Sequence, residues 1–490
     1  FRKLDEFSVS ITSSSLDFEK LTTKDLRSVV LDHLANILRQ DEKGVVSLFA
    51  EDKSEIDVNT FFYRECMKEL FKRDKFIIQG FKGSGKTYLY KALKDKKITK
   101  IILEKSGQNN LDTHEFIDII ESKGARNNHK QFPFSKEEVK SITNFQSFWK
   151  VYFWSSTMLE IDSNETFASF RSTYPNSPLE KDIVSLKEAT DTERKIMFIK
   201  YISDDEKLIL IEKDLKSLNE FLSKNKIKLF LLFDQLDRIA NLEDWSRLIT
   251  PLVEFWRDNF NKPSFGNVFP KIFIRTDILP RVDTNNSLSL KTAKVEIEWQ
   301  PEEIYAYFFK LVFSNKASQQ SFFKLMSEYK DVPEFTINDI KKIVEEKQQL
   351  PLDQKLIRPL LDTFFGNDIK SPKGGSLGNP YEFFFLNFSN ANDTFNLRPF
   401  INLISGAVKN AIANKLPKYV NPYDPTKVIF LFPDFEGHPP QKPILHYCYS
   451  TDSDVRESAT QEHFDDLTNE AGNEPLKDTI TFIKSTQIER

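Results

Sequence analysis

Eight consecutive residues, Gly80-Phe81-Lys82-Gly83-Ser84-Gly85-Lys86-Thr87, fit the pattern G-x-x-x-x-G-K-[ST] at every fixed position. The chain has only 14 glycines in 490 residues, so three within this loop are a local concentration. Backbone N–H groups can wrap an anion only where no side chain blocks the approach, which is what glycine provides. The flanks agree. Phe76-Ile77-Ile78-Gln79 reads as a short buried parallel strand, and Tyr88–Leu93 continues with helical periodicity. Strand, glycine-rich loop and helix in this order aim the helix's positive end at a phosphate. Gly80, Phe81, Lys82, Gly83, Ser84, Gly85, Lys86, Thr87 and Tyr88 are therefore the candidate nucleotide contacts, with Lys86 on the β- and γ-phosphates and the Thr87 hydroxyl on Mg²⁺.

A second signal lies far downstream. Leu229-Phe230-Leu231-Leu232-Phe233 is an apolar strand that ends at Asp234, where a carboxylate can orient Mg²⁺ beside the loop. Hydrolysis also needs a group that orients or deprotonates water. The residue after Asp234 is Gln235, which can orient water but not accept a proton. Asp237 is the nearest further carboxylate, and either acts as base or caps the next helix and pairs with Arg238. After a strand at Lys271–Ile274, Arg275-Thr276-Asp277 offers Arg275 as a sensor of the γ-phosphate, or as the partner of Asp277 in a turn. Arg398-Pro399 opens an amphipathic helix, from which Arg398 would reach the nucleotide and couple it to lid movement. An arginine finger from a neighbouring subunit would leave no trace here; Arg238 and Arg281 are the candidates. The chain has no [NT]-K-x-D guanine-recognition motif, which favours ATP over GTP.

Apolar strands separated by helices imply an α/β fold built on a parallel sheet. The predicted organisation is an N-terminal helical segment at 1–58, with a helix over Asp25–Arg39, then a core at 59–300. That core starts with a helix at about 59–72 and places the strand after the loop at Lys100–Leu103. It carries a large helical insertion at about 112–225, with long helices at 136–161 and 205–224, and a further helix at 243–260. An all-α lid follows at 301–420. The segment 421–490 has short strands at Val428–Phe432 and Ile444–Cys448 and an acidic tail.

Composition narrows the partner classes. The net charge of -4 gives no overall basic bias, so nucleic-acid binding would need a local patch. Lys91, Lys94, Lys96, Lys97 and Lys100 form one basic run, read as a solvated helix face or a nucleic-acid contact. The two cysteines, Cys66 and Cys448, are far apart, which excludes a disulfide framework and suits a reducing, cytoplasmic setting. No apolar run reaches the length needed to cross a bilayer. The opening Phe1-Arg2-Lys3-Leu4-Asp5 is neither an initiator Met nor a secretory signal, so true first residues are expected to be missing.

Taken in order, the motifs resemble those of the bacterial P-loop ATPases of the KAP- and STAND-like group, closest to soluble members associated with conflict and phage-defence systems. The likeness rests on Phe61-Phe62, the loop, Asn144-Phe145 and Trp149, then Phe233-Asp234-Gln235-Leu236-Asp237. It continues through Ile272-Phe273-Ile274-Arg275-Thr276-Asp277-Ile278, Val295–Trp299 and Leu397-Arg398-Pro399. Gln235 departs from the Asp or Gly of that group. The resemblance covers about residues 55–415 and implies an ATP- and Mg²⁺-dependent switch. Such a switch acts through a homo-oligomer, a separate effector protein that carries the toxic chemistry, or both; the alternatives are a nucleotide-stabilised scaffold that does not hydrolyse and a DNA-handling ATPase of transposition or repair type.

Overall fold

Five apolar runs pair side by side into one sheet in the computed structural model. They are β1 (Ile77–Gly80), β2 (Thr113–Ile120), β3 (Ile227–Phe233), β4 (Val268–Arg275) and β5 (Lys294–Glu296). The order is β2-β3-β4-β1-β5 and every pairing is parallel. The structure describes residues 21–39 and 56–413, except 82, 109–111, 121–131, 133, 141, 174–176, 237–238, 240–243, 260–261, 263–264, 282–286, 330–331, 347–349, 370–375 and 390–394. It also describes 418–420, 428–430, 443–445, 449 and 455. Its described residues fall into two units, Tyr63–Ile297 around the sheet and, separately, those up to Phe62 together with those from Glu298 onward.

Side chains alternate across a strand, so register decides which residues share a face. Phe233 pairs with Ile272, so Phe233 and Phe273 point to opposite sides. Helix Lys86–Lys94 covers the Phe273 side, where Tyr90 meets that ring edge-on at 5.9 Å. Helices Phe145–Ser163 and Trp245–Asn259 cover the other side, bringing Trp149 and Trp256 to 6.2 and 6.3 Å from Phe233. Burial on both faces explains why β3 and β4 are apolar almost throughout instead of alternating.

From β1 the chain crosses to the far edge at β2, returns through β3 and β4, and passes β1 again to reach β5. The direction of travel reverses at β2, so the connections leaving the neighbours β1 and β4 run opposite ways. With right-handed crossovers, the connection leaving β1 and those leaving the later strands lie on opposite faces. A crevice then opens past the carboxyl ends of β1 and β4, the place where open α/β sheets bind ligands.

Several boundaries differ from the sequence reading. Lys100–Leu103 is not a strand but part of helix Lys96–Lys105, because Asp95 caps it by accepting from Lys97 N and Ile98 N. The strand after the loop is instead β2, inside the stretch read as helical, so the helical insertion begins after it, with the short helix Lys136–Val139. The segment expected to be α-helical at 59–72 holds only a 3-10 helix, Glu65–Phe71.

The second unit is helical. Thr23–Ile37, capped by Thr22, buries Leu26, Val30 and Leu34. It does not stand apart as an N-terminal segment, but packs on helices Lys316–Glu328 and Leu397–Ile412. The abundance of Phe finds its use here: Phe308, Phe309, Phe322, Phe364, Phe384 and Phe400 are all fully buried. They meet largely edge to face, as do Phe308 and Phe364 at 4.9 Å. Val428–Phe430 forms a strand as expected, paired antiparallel with Lys418–Val420. Ile444 and Leu445 are in a bend instead of a strand, buried in this core, with Leu445 N donating to Phe364 O at 2.9 Å. Residues 446–448 lie outside the described residues. Among the described residues, no helix is long and apolar enough to cross a membrane.

One buried charge site braces the approach to β1. Lys271 is fully buried, and its Nζ donates to the carbonyls of Lys72 and Lys75 at 2.7 and 2.6 Å. Burial pulls its ammonium down to about 7, against an opposing pull from Asp74. A neutral amine still has two N–H donors for these two carbonyls. Between that pH and the unfolded value near 10.5 the unfolded chain binds the extra proton, so folding stability rises with pH. The urea midpoint of the wild type should therefore increase from pH 7 to pH 9, and Lys271→Met should flatten that increase. Equal slopes in the two proteins would show that Lys271 stays charged.

Candidate functional site

The glycine-rich loop leaves β1 at Gly80 and enters its helix at Lys86. Gly83 and Gly85 have φ of 84° and 95°, left-handed backbone that suits glycine. Gly85 is the N-cap residue, and its carbonyl accepts from Leu89 N at 2.9 Å. Ser84 N donates to Phe81 O at 3.1 Å, closing a turn. Lys86 Nζ donates to the carbonyls of Gly80 and Phe81, both at 2.7 Å, so the ammonium clips the loop into an arch. Thr87 and Tyr88 are half-buried in the first turn of the helix. Lys82 lies outside the described residues.

Gly80 has no room for a side chain. A Cβ there would stand 2.3 Å from Ser84 Oγ and 3.1 Å from Ile297 O. Ser84 is 6 % exposed, and its Oγ has no hydrogen-bond partner among the described residues. An orphaned hydroxyl inside a glycine arch is a polar lining without a protein partner.

Register sets the rest of the crevice. Gly80 pairs with Arg275, and Thr276 N donates to Gly80 O at 3.2 Å. Arg275 grips Asp277 with two bonds, Nε to Oδ1 at 3.0 Å and Nη2 to Oδ2 at 2.7 Å. Asp234 follows β3 at 5 % exposure, and continuing the register places it opposite Phe273, on the face that helix Lys86–Lys94 covers. Gln235 has φ of 55°, left-handed backbone in a residue with a Cβ. Asp237 and Arg238 lie outside the described residues, and Arg281 closes a short 3-10 turn, Leu279–Arg281. Arg398 belongs to the helical unit, in the first turn of Leu397–Ile412, where its N donates to Asn396 Oδ1 at 3.2 Å.

Two polar residues escaped the sequence reading. Asp118 on β2 pairs in register with Leu232, which puts it on the Asp234 face, and it holds Lys94 of the loop's helix in an ion pair. It was hidden because its segment read as helical. Thr276 has a buried Oγ1 without a hydrogen-bond partner among the described residues, beside the Gly80 carbonyl. Its only signal was its place between Arg275 and Asp277. Among the described residues no three His, Cys, Asp or Glu side chains gather as a metal site. Family models, curated proteins and solved structures were all compared with the chain, and none matches it.

Two substitutions test the local geometry. Gly80→Ala should lower stability by about 1–3 kcal/mol through overpacking against Ser84 and Ile297, measured by denaturant titration; an unchanged midpoint would mean the arch has slack. At Gln235, Gly should be tolerated at no cost, whereas the β-branched Gln235→Val should lose on the order of 1–3 kcal/mol. Equal stability of the Gly and Val variants would contradict the left-handed backbone.

Proposed function

We propose that this chain is a P-loop nucleoside triphosphatase that binds ATP with Mg²⁺ in the crevice past β1 and β4. The observation that carries the reading is the glycine-rich arch from Gly80 to Lys86, with no room for a side chain at Gly80, set at the carboxyl end of a parallel strand and opening into a helix. Positive φ at Gly83 and Gly85 supports it, as does a buried Asp234 at the end of β3. Phosphate oxygens fit such an arch because they would engage its backbone N–H groups and the orphaned Ser84 hydroxyl. Two of the bonds that Lys86 makes go to neutral carbonyls of its own loop, and it would exchange these for phosphate charge.

Thr87 and Asp234 are the residues that would hold Mg²⁺. Bound there, the ion would supply charge neutralisation at the β- and γ-phosphates. With so few protein ligands, its remaining positions would fall to phosphate and water, the usual habit of Mg²⁺. Asp237 is the proposed base. Arg275, held by Asp277 next to the loop, is the proposed reader of the γ-phosphate.

By its resemblance the chain would act as a nucleotide-driven switch, its ATP state setting self-assembly or the hold on a separate effector, in a defence setting. A second reading has its own observation. Gln235 occupies the position after Asp234 with an amide that takes no proton, which favours a scaffold that holds ATP over one that turns it over.

The test is ATP binding by calorimetry, phosphate release, and mass in solution with and without Mg·ATP, for wild type, Lys86→Ala and Asp237→Ala. Lys86→Ala should weaken binding by about 10- to 100-fold, the worth of one charge-assisted hydrogen bond. Asp237→Ala should bind ATP but not hydrolyse it. Binding without release in the wild type selects the scaffold. No ATP binding by folded wild type ends both readings.

A further inference from the structure

Helix Lys96–Lys105 carries three lysines on the side away from its buried residues, while Lys105, in its last turn, lies over the Tyr63 ring. Ile98, Thr99 and Ile102 are its buried residues. At about 100° per residue, Lys96, Lys97 and Lys100 fall on the side opposite to them. All three are exposed, with the side chains of Lys96 and Lys100 at 83 % and 77 %. Their acidic neighbours hold them loosely: Lys96 Nζ lies 3.5 Å from Glu115, and Lys100 Nζ 3.8 Å from the exposed Glu104. The Lys100–Glu104 pair is exposed on both sides and contributes little, so a polyanion can displace it; in the other pair only Lys96 is exposed, and Glu115 is buried. Glu115 keeps Thr166 Oγ1 at 2.9 Å and Asn164 Nδ2 at 3.2 Å as donors when Lys96 leaves. The Lys97 side chain forms no ion pair with another described residue.

This face does not stand alone. The 3-10 helix Glu65–Phe71 packs on the same helix, and Gln108 Nε2 donates to Lys68 O at 3.4 Å. Exposed Lys68 and Lys72 therefore belong to the same part of the sheet unit. Between Tyr63 and Gln108 the sequence has thirteen Lys and Arg against five Asp and Glu, in a chain whose net charge is -4. Positive charge is thus gathered here while the rest of the chain is acidic.

We propose that the outer face of helix Lys96–Lys105 binds the phosphate backbone of nucleic acid, without reading sequence. A regular polyanion rewards separated, mobile ammonium groups through release of its condensed counterions, and needs no pocket. A membrane surface fits less well. An interfacial helix must offer an apolar side to the lipid, and the apolar side of this one is already buried in its own unit. The inference does not depend on ATP binding: Lys96, Lys97 and Lys100 all lie beyond the loop and its first helix.

The experiment is fluorescence anisotropy with a labelled 30-base-pair duplex of mixed sequence, at 50 and 200 mM salt. The full chain is used as wild type, as the triple variant Lys96→Gln, Lys97→Gln, Lys100→Gln, and as a control triple on helix Asp205–Lys224, Lys213→Gln, Lys216→Gln, Lys224→Gln. Wild-type binding should fall about 40-fold between the two salts, the expectation for three phosphate contacts. The first triple should lose at least about tenfold at the lower salt and show a shallower salt slope, while the control triple and Lys86→Ala bind as wild type. Thermal midpoints check folding; should the triple fail to fold, Lys97→Glu alone must weaken binding several-fold. The proposal is overturned if wild type does not bind the duplex, or if the control triple weakens binding as much as the first. Binding that goes to phosphatidylserine vesicles and not to the duplex overturns it equally.

Discussion

A missing side chain at Gly80 sets the geometry on which the candidate site depends. Strand β1 is flanked by β4 and β5, and its last residue takes a hydrogen bond from Thr276 N while lying within a methyl's reach of Ser84 and Ile297 O. Because no Cβ intervenes, the loop can fold back over the strand end, and Lys86 can span it to reach two carbonyls. Around a bulkier residue the loop would have to move outward, and both the arch and the start of helix Lys86–Lys94 would move with it. The sheet order then fixes what faces the arch. With β4 inserted between β1 and β3, Arg275 and Thr276 come next to Gly80, and Asp234 stands one strand further on.

How much of this could be read from the sequence follows from how local each signal is. The loop, β3 and β4 were legible because their rules are short-range: glycines for close approach, and apolar runs for strands buried on both sides. Helix Lys96–Lys105 was not. Its Ile101-Ile102-Leu103 core is a short apolar run, which periodicity cannot assign, and Asp95 decided the matter from outside the run. Strand β2 was missed for the converse reason. Thr113–Ile120 carries His114, Glu115 and Asp118 among its apolar residues, and the latter two are buried only because Lys94, Asn164 and Thr166 meet them. Those partners are remote in sequence, and no window of residues contains them. The placement of helix Thr23–Ile37 with residues more than 270 positions away was equally beyond local reading, although its Thr22 and Asp25 capping box was not.

Buried charge is handled in two ways in the sheet unit. Asp118 is paired with Lys94, while Lys271 sheds much of its preference for charge and satisfies two carbonyls as a donor. Both tie β1's surroundings together: Lys94 ends the loop's own helix, and Lys72 and Lys75 lead into β1. The strand that holds the arch is thus braced before its first residue and again one helix after its last. Such bracing suits a site whose binding groups are backbone N–H groups, since these are positioned only as well as the chain that carries them.

Gln235 shows where local cost and proposed role meet. A left-handed residue with a Cβ persists only where its surroundings hold it, and such positions gather at functional sites. Here the strain falls one residue after the buried Asp234, where the chain must turn sharply off β3. The Asp or Gly that the resembling group carries at this place would sit in that backbone more comfortably than Gln, because short polar residues and glycine tolerate it best. What Gln keeps is the turn; what it does not offer is a carboxylate. On the proposed reading, Asp234 still has its task at the metal, and the burden of activating water passes to Asp237 or to a group outside this chain. On that reading the site would grip its nucleotide with backbone and Lys86, and the rate of hydrolysis would rest on Asp237 or on that outside group.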